Sequence, residues 1–252
     1  MKKVLISLAA MALATAAHAQ VTNGGFETTT GGSTGQLNFD GFSATGWSAP
    51  PAANNYDFVF NSATATTAPP SGGATGASGP IDLWAATASP NGGNFLGSDP
   101  DYSPSGPDST TGGAGGAVYQ TVSGLTAGDT YAVTFYQAGA QQHGFSGITT
   151  ESWQVSLGAQ TLDSPTLTNA SEGFTGWSSD TLDFTATASS EVLSFLAEGT
   201  GGSGEPPFAL LDGVSLTQVS VPEPATWAMM LVGFGVLGTA IRSRRKTALA
   251  TA

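Results

Sequence analysis

The stretch "AVYQTVSGLTAGDTYAVTFYQAG" (Ala117–Gly139) decides the fold. In its first part Val118 and Val122 fall on one side of an extended chain; in its last part Tyr131, Val133 and Phe135 do the same. Successive side chains on a strand point to opposite faces, so a period of two marks half-buried β-structure. The intervening "SGLTAGDT" (Ser123–Thr130) is turn chemistry, and it predicts two adjoining strands. Outward along the chain the pattern repeats. "ESWQVSLG" (Glu151–Gly158) places Trp153, Val155 and Leu157 inward and Gln154 and Ser156 outward, and "TLDFTATA", "EVLSFLAEG" and "PFALLDGVSLTQV" supply closing strands up to Val219. Helical periodicity is almost absent between Val21 and Val219, so residues 20–219 read as one all-β domain, an antiparallel β-sandwich. Residues 63–80 and 98–116 are rich in Gly, Pro and Ser and poor in apolar residues, which makes them loops over the sandwich. Loops longer than about 12–15 residues often carry binding functions.

Composition excludes several functions. All eighteen acidic residues lie between Glu27 and Glu223, and no lysine or arginine occurs between Lys3 and Arg242. A body with acid and no base repels phosphate backbones, so nucleic-acid binding is excluded, while divalent cations are attracted. Salt bridges to Lys or Arg are unavailable inside the domain. Cohesion must come from apolar burial and backbone hydrogen bonds, with bound metal as an optional addition. The absence of cysteine removes disulfides, thiolate nucleophiles and Cys-type zinc sites.

The two ends carry addresses. "MKKVLISLAAMALATAAHAQ" joins two lysines, an apolar run and an Ala-His-Ala ending, the signature of a signal peptide over residues 1–19, cut by signal peptidase after Ala19. At the other end the seventeen residues Ala225–Ile241 carry no charge and are followed by Arg242, Arg244, Arg245 and Lys246. That length is just enough for a transmembrane helix, Trp227 suits its interface, and the cations place its far end in the cytoplasm. Within it "GFGVLG" (Gly233–Gly238) matches a dinucleotide-binding spacing, but no strand precedes it, so it reads as small-residue helix packing.

"VPEPATWAMMLVGFGVLGTAIRSRRK" (Val221–Lys246) resembles a PEP-CTERM sorting tail of the Pro-Glu-Pro-x-x-Trp-Ala variety, through Pro222, Glu223, Pro224, Trp227 and Ala228, the Gly-rich apolar helix and the Arg cluster. The resemblance implies export across the inner membrane of a Gram-negative bacterium, recognition by an exosortase, cleavage near Pro-Glu-Pro, and delivery to the cell surface or extracellular matrix. In the body, Asn-Gly-Gly-Phe-Glu at Asn23–Glu27, Gly46-Trp47 and Asp-Gly-Val-Ser-Leu at Asp212–Leu216 resemble the galactose-binding-like jelly rolls of many carbohydrate-binding modules. That resemblance implies a jelly roll and one structural calcium between Glu27 and Asp212.

The residues themselves leave Asp212 open. Phe208, Leu210, Val214 and Leu216 share its parity and predict an inward face, on which a carboxylate needs compensation. Backbone N–H donors, a bulge at Gly213 that turns Asp212 outward, or a cation would each supply it. Calcium suits the last option, because carboxylates and carbonyls are hard oxygen ligands. "DPDYSPSGPD" (Asp99–Asp108) fails as an EF-hand: Pro104 stands where glycine is required, leaving a solvated acidic loop.

Catalysis has little to work with. His143 is the sole histidine beyond the leader and no Gly-x-Ser-x-Gly elbow exists, so a Ser-His-Asp hydrolase is not expected. Glycoside hydrolysis needs only two carboxylates at a set separation, which linear order does not fix. Among the aromatic rings, Trp153 fits the core, whereas Trp84 and Tyr102 lie in loop-rich surroundings and are the candidates for stacking on sugar. The expectation is a non-enzymatic, exported jelly roll that binds extracellular polysaccharide. The alternatives are a structural matrix protein without a ligand and a carboxylate-dependent glycoside hydrolase.

Overall fold

The computed structural model describes residues 19–68, 71–100, 116–200 and 206–219, together with Leu231 and Phe234. The chain divides into two compact units, Met1–Gln218 and Val219–Ala252. Of the second, Leu231 and Phe234 are helical and exposed. Among the described residues no helix is long and apolar enough to cross a membrane. The span expected at 225–241 lies outside the described residues except for Leu231 and Phe234, the leader expected at 1–19 lies outside them except for Ala19, and Arg242, Arg244 and Arg245 lie outside them.

In chain order the first strands are β1 (Thr29–Thr30), β2 (Gly35–Gln36), β3 (Ser43–Ala44), β4 (Asp57–Asn61), β5 (Ala74–Gly76), β6 (Gly79–Ile81) and β7 (Asn94–Ser98). There follow β8 (Val118–Ser123), β9 (Thr130–Gln141), β10 (Thr149–Leu157), β11 (Gln160–Asp163), β12 (Leu167–Asn169), β13 (Ser178–Thr185), β14 (Ser190–Thr200) and β15 (Pro207–Gln218). A six-stranded sheet runs β13-β9-β15-β7-β4-β2, and a five-stranded sheet runs β11-β10-β14-β8 with β12 also paired to β10. Their pairings are antiparallel. The protein is an all-β sandwich.

The alternation read from the sequence is the alternation of burial. Val118 and Val122, Trp153, Val155 and Leu157 from one sheet meet Tyr131, Val133 and Phe135 from the other in a single core. Each such fully buried side chain contributes about 1.5–3 kcal/mol relative to exposure. Trp153 also bolts the sheets together, its Nε1–H donating to the Leu210 carbonyl at 3.1 Å.

One expectation is corrected. β8 and β9 are not neighbours in a sheet: β8 pairs β14, whereas β9 pairs β13 and β15. The turn between them crosses from one layer to the other. Leu125 is buried in the core, the Thr126 N–H donates to the Tyr131 hydroxyl at 2.8 Å, and the Gly128 N–H donates to Ala186 O at 2.8 Å. A buried leucine in mid-turn pulls the connection over the end of the sandwich rather than letting it fold back as a hairpin.

The outer face of the six-stranded sheet carries a second core. Tyr56, Phe58 and Phe60 of the β4 region, Phe95 of β7 and Phe208 and Leu210 of β15 pack beneath Ala65, Ala74, Ile81, Leu83 and Ala86. The segment read as a loop over the sandwich is therefore a lid across this face, with the β5/β6 ribbon inside it. Gly76 allows the close approach, since a Cβ there would lie 2.6 Å from the Phe58 ring.

β15 joins both cores, and here a second expectation is corrected. Phe208 and Leu210 face the outer core, whereas Val214 and Leu216 face the sandwich interior along with Ala209 and Leu211. The register shifts between Asp212 and Ser215. Gly213 takes φ of 60° there, a conformation costly for other residues. The bulge moves the inward face from odd to even positions. Asp212 accordingly shares the outer face with Phe208 and Leu210, not the sandwich interior.

Ala19 and Gln20 line a surface recess with Tyr131, Leu216, Thr217 and Gln218. The beginning and the end of the sandwich thus lie side by side.

Candidate functional site

The Asn23–Glu27 segment runs over the bulge of β15. Asn23 holds a left-handed backbone, φ 53°, and its side chain donates to Thr28 O and Thr45 O while accepting from the Thr28 N–H. Trp47 Nε1–H donates to Asn23 O at 2.9 Å, and the Val214 N–H donates to Gly24 O at 2.9 Å. A Cβ at Gly24 would overlap the Val214 carbonyl oxygen, and one at Gly25 would lie 2.5 Å from Asn91 Nδ2. Two glycines in succession are what this approach requires. Phe26 is fully buried and stacks on Trp47 with ring centroids 5.1 Å apart, which anchors the segment.

Glu27 emerges beside this anchor. Its Oε1 accepts the Asn94 N–H at 2.9 Å, while Asn94 Nδ2 donates to Phe26 O at 3.1 Å. Gly93 has φ of 67°, and a Cβ there would collide with the Glu27 carboxylate. Asp212, fully buried, receives the Gly213 N–H on Oδ1 at 2.6 Å and Asn91 Nδ2 at 3.4 Å. Its Oδ2 takes no hydrogen bond of good geometry, although the Ser89 hydroxyl is near enough to steady the carboxylate's charge. Burial pushes the Asp212 carboxyl up to about 7; donors from Ser89, Gly213 and Asn91 oppose this, and the Glu27 charge adds to it. Two of the three ways to satisfy Asp212, the bulge and backbone donation, thus occur together, and one oxygen is still left over.

The donor set fits a hard cation. The Glu27 charge is near enough to act on Asp212, one buried Asp212 oxygen has no hydrogen bond, and glycines keep side chains out of the space. Among the described residues no group of three or more His, Cys, Asp or Glu side chains is placed to hold a metal, so carbonyls or water would complete the shell.

Of the other buried carboxylates, Asp57 and Glu151 are completely covered and were not anticipated. Asp57 and Glu151 share parity with the core residues Val59 and Trp153 and so lie on the inward faces of β4 and β10. Ser98 Oγ–H donates to Asp57 Oδ1, and Thr149 Oγ1–H donates to Glu151 Oε1 at 2.5 Å. Asp57 Oδ2 and Glu151 Oε2 lack partners. Burial pushes Asp57 up to about 7 and Glu151 up to about 8, against the opposing hydroxyl bonds. Parity could have flagged Glu151, two residues before Trp153. Both are fully buried rather than flanking an open cleft.

Trp84 lies at the rim of the lid. Its backbone N–H donates to Gln141 O at 2.9 Å and its Nε1–H to Phe145 O at 2.8 Å. The ring lies against His143 with centroids 3.9 Å apart, and His143 Nδ1 is 3.7 Å from Asp82 Oδ2. Trp84 is half-buried, while Phe145, whose carbonyl receives its indole N–H, and Ile148, three residues further along the chain, are 36% and 69% exposed. Tyr102, its expected companion, lies outside the described residues, as do Pro222, Glu223, Pro224, Trp227 and Ala228. Of the other rings, Trp47, Tyr56 and Trp153 are buried, and Trp177 is half-buried against the outer core with its Nε1–H on Thr87 O.

Residues 220–246 match the PEP-CTERM protein-sorting motif. No curated protein matches the chain. Solved structures similar to it include TmCBM61 in complex with β-1,4-galactotriose, 17% identical with a TM-score of 0.39, over 78% of this chain and 96% of that one. Another is the CBM22-1 xylan-binding domain of Paenibacillus barcinonensis Xyn10C, 11% identical with a TM-score of 0.37, over 83% and 100% of the two chains. A third is the K1 cleaved adhesin domain of Lys-gingipain from Porphyromonas gingivalis W83, 15% identical with a TM-score of 0.39, over 78% and 96%. Likenesses this distant transfer no ligand.

Proposed function

We propose that this is an exported, non-enzymatic surface or matrix protein of a Gram-negative bacterium whose sandwich binds extracellular polysaccharide. In this reading signal peptidase removes residues 1–19, the tail holds the chain in the inner membrane, and exosortase then processes it near Pro222–Pro224. The sorting motif at 220–246 supports the route. The observation that carries the binding role is Trp84: a ring fixed through both its nitrogens, at a rim where Phe145 and Ile148 are exposed. A ring held in place stacks on a pyranose without first losing rotational freedom. Tyr102 is placed in the same role from the sequence.

Pull-down of the secreted domain on a polysaccharide panel tests this. Retention on at least one polymer, reduced about tenfold or more by Trp84→Ala or Tyr102→Ala, is the expected result. Retention on none favours a structural matrix protein, and turnover of the organism's own polysaccharide would make it an enzyme.

Glu27 and Asp212 are proposed to hold calcium. Its role there is structural: the cation would neutralise Asp212 and tie the first segment to the last strand.

A further inference from the structure

The surroundings of Trp84 bear on which polysaccharide is held. All but one of the eighteen acidic residues lie between Glu27 and Asp212, with no lysine or arginine among them. The rim of the lid shares this bias. The His143 backbone N–H donates to Asp82 O at 2.8 Å, and Asp82 Oδ2 is also the acid facing the His143 ring. On the other side the Glu172 N–H donates to Gln141 Oε1, on the residue whose carbonyl receives the Trp84 N–H. The Gly147 N–H donates to Ser171 Oγ, so Phe145 and Ile148 stand close to the Ser171–Glu172 turn.

We propose that the glycan held at the Trp84–His143–Phe145 rim is a neutral polysaccharide, and that polymers bearing uronate, sulfate or phosphate groups are excluded from it. The inference rests on the glycan-binding reading above and specifies its ligand class. Recognition of an anionic sugar requires charge-assisted donors, ordinarily Arg or Lys. Here the one side chain able to become cationic already faces Asp82. Charges interact appreciably within a Debye length of about 8 Å at physiological ionic strength, a range that takes in Asp82 beside the ring. An anionic chain at Trp84 would meet an acidic surface whose one potential cation, His143, is already engaged by Asp82. A neutral pyranose meets an aromatic face and exposed apolar atoms at Phe145 and Ile148, and carries no charge for the surrounding acids to repel.

Affinity electrophoresis of the whole secreted domain in EDTA tests this, with neutral glucan, galactan, xylan and mannan set against alginate and polygalacturonate. The expected result is retention by at least one neutral polymer that changes less than about twofold between about 20 mM and about 300 mM salt. Neither polyuronate should retard the protein at the lower salt. Trp84→Ala, and separately Phe145→Ala, which keeps the backbone acceptor of Trp84, should each weaken retention about tenfold. Retardation by a polyuronate in EDTA comparable to that by the best neutral polymer overturns the inference while leaving glycan binding intact. Retention by no polymer, either in EDTA or in calcium-containing buffer, overturns the glycan-binding reading and this inference with it. EDTA removes bridging divalent cations, so retention of polyuronate under these conditions would be direct.

Discussion

The Val214 N–H donates to the carbonyl of Gly24, so the last strand of the sandwich holds the first described segment at the point where that strand bulges. This bond lies between the Glu27 segment and the Asp212 bulge, close enough that the Glu27 charge acts on Asp212, and it makes the Gly24–Gly25 pair a requirement of geometry. Gly24→Ala should lower the unfolding free energy by about 1–3 kcal/mol, the usual range for forcing atoms into filled space, because its Cβ would overlap Val214 O. Urea denaturation checks it.

Calcium should stabilise the domain. A ligand at one hundred times its dissociation constant adds about 2.7 kcal/mol, so the melting temperature should rise with calcium and fall with EDTA. Asp212→Asn and Glu27→Gln should each remove the calcium dependence. An identical melt with and without calcium in the native protein would refute the site.

Stability should fall as pH rises through neutrality. Asp57 and Glu151 have folded pKa values of about 7 and about 8, raised from 3.8 and 4.5 by burial. The folded state therefore binds the extra protons: the contribution is complete below the unfolded values and is lost as pH climbs through the folded ones. The slope approaches about 1.4 kcal/mol per pH unit per group. Asp57→Asn and Glu151→Gln should each flatten a urea-midpoint profile measured between about pH 5 and about pH 8.

Asp212 should contribute to that slope only without calcium, since a bound cation keeps the carboxylate ionised. Comparing the profile in EDTA with that in calcium isolates it. A difference that persists in Asp212→Asn would locate the effect elsewhere.

Alternation made the sandwich legible, because Val118, Tyr131 and Trp153 lie on strands with one wet face. The outer core was not legible. In "YDFVFN" (Tyr56–Asn61) the aromatic face of Tyr56, Phe58 and Phe60 alternates with Asp57, Val59 and Asn61, and alternation alone does not say which layer each face meets: the aromatics face the outer core and Val59 the sandwich interior. The layer change after β8 was hidden for a different reason: turn residues mark that the chain reverses, and the burial of Leu125 decides where it goes. At the candidate cation site, Gly213 announced a bulge, but its effect on parity depended on a register that only pairing with β9 defines. Parity counted through an uninterrupted strand therefore put Asp212 on the wrong side of the sheet.

The shared recess of Gln20 and Gln218 has an engineering consequence. A short flexible bridge could join these ends, and the chain could be reopened at the exposed Gly158 turn between β10 and β11. Such a circular permutant would keep every ladder of both sheets, and the domain could equally be spliced into a host protein as an autonomous bead.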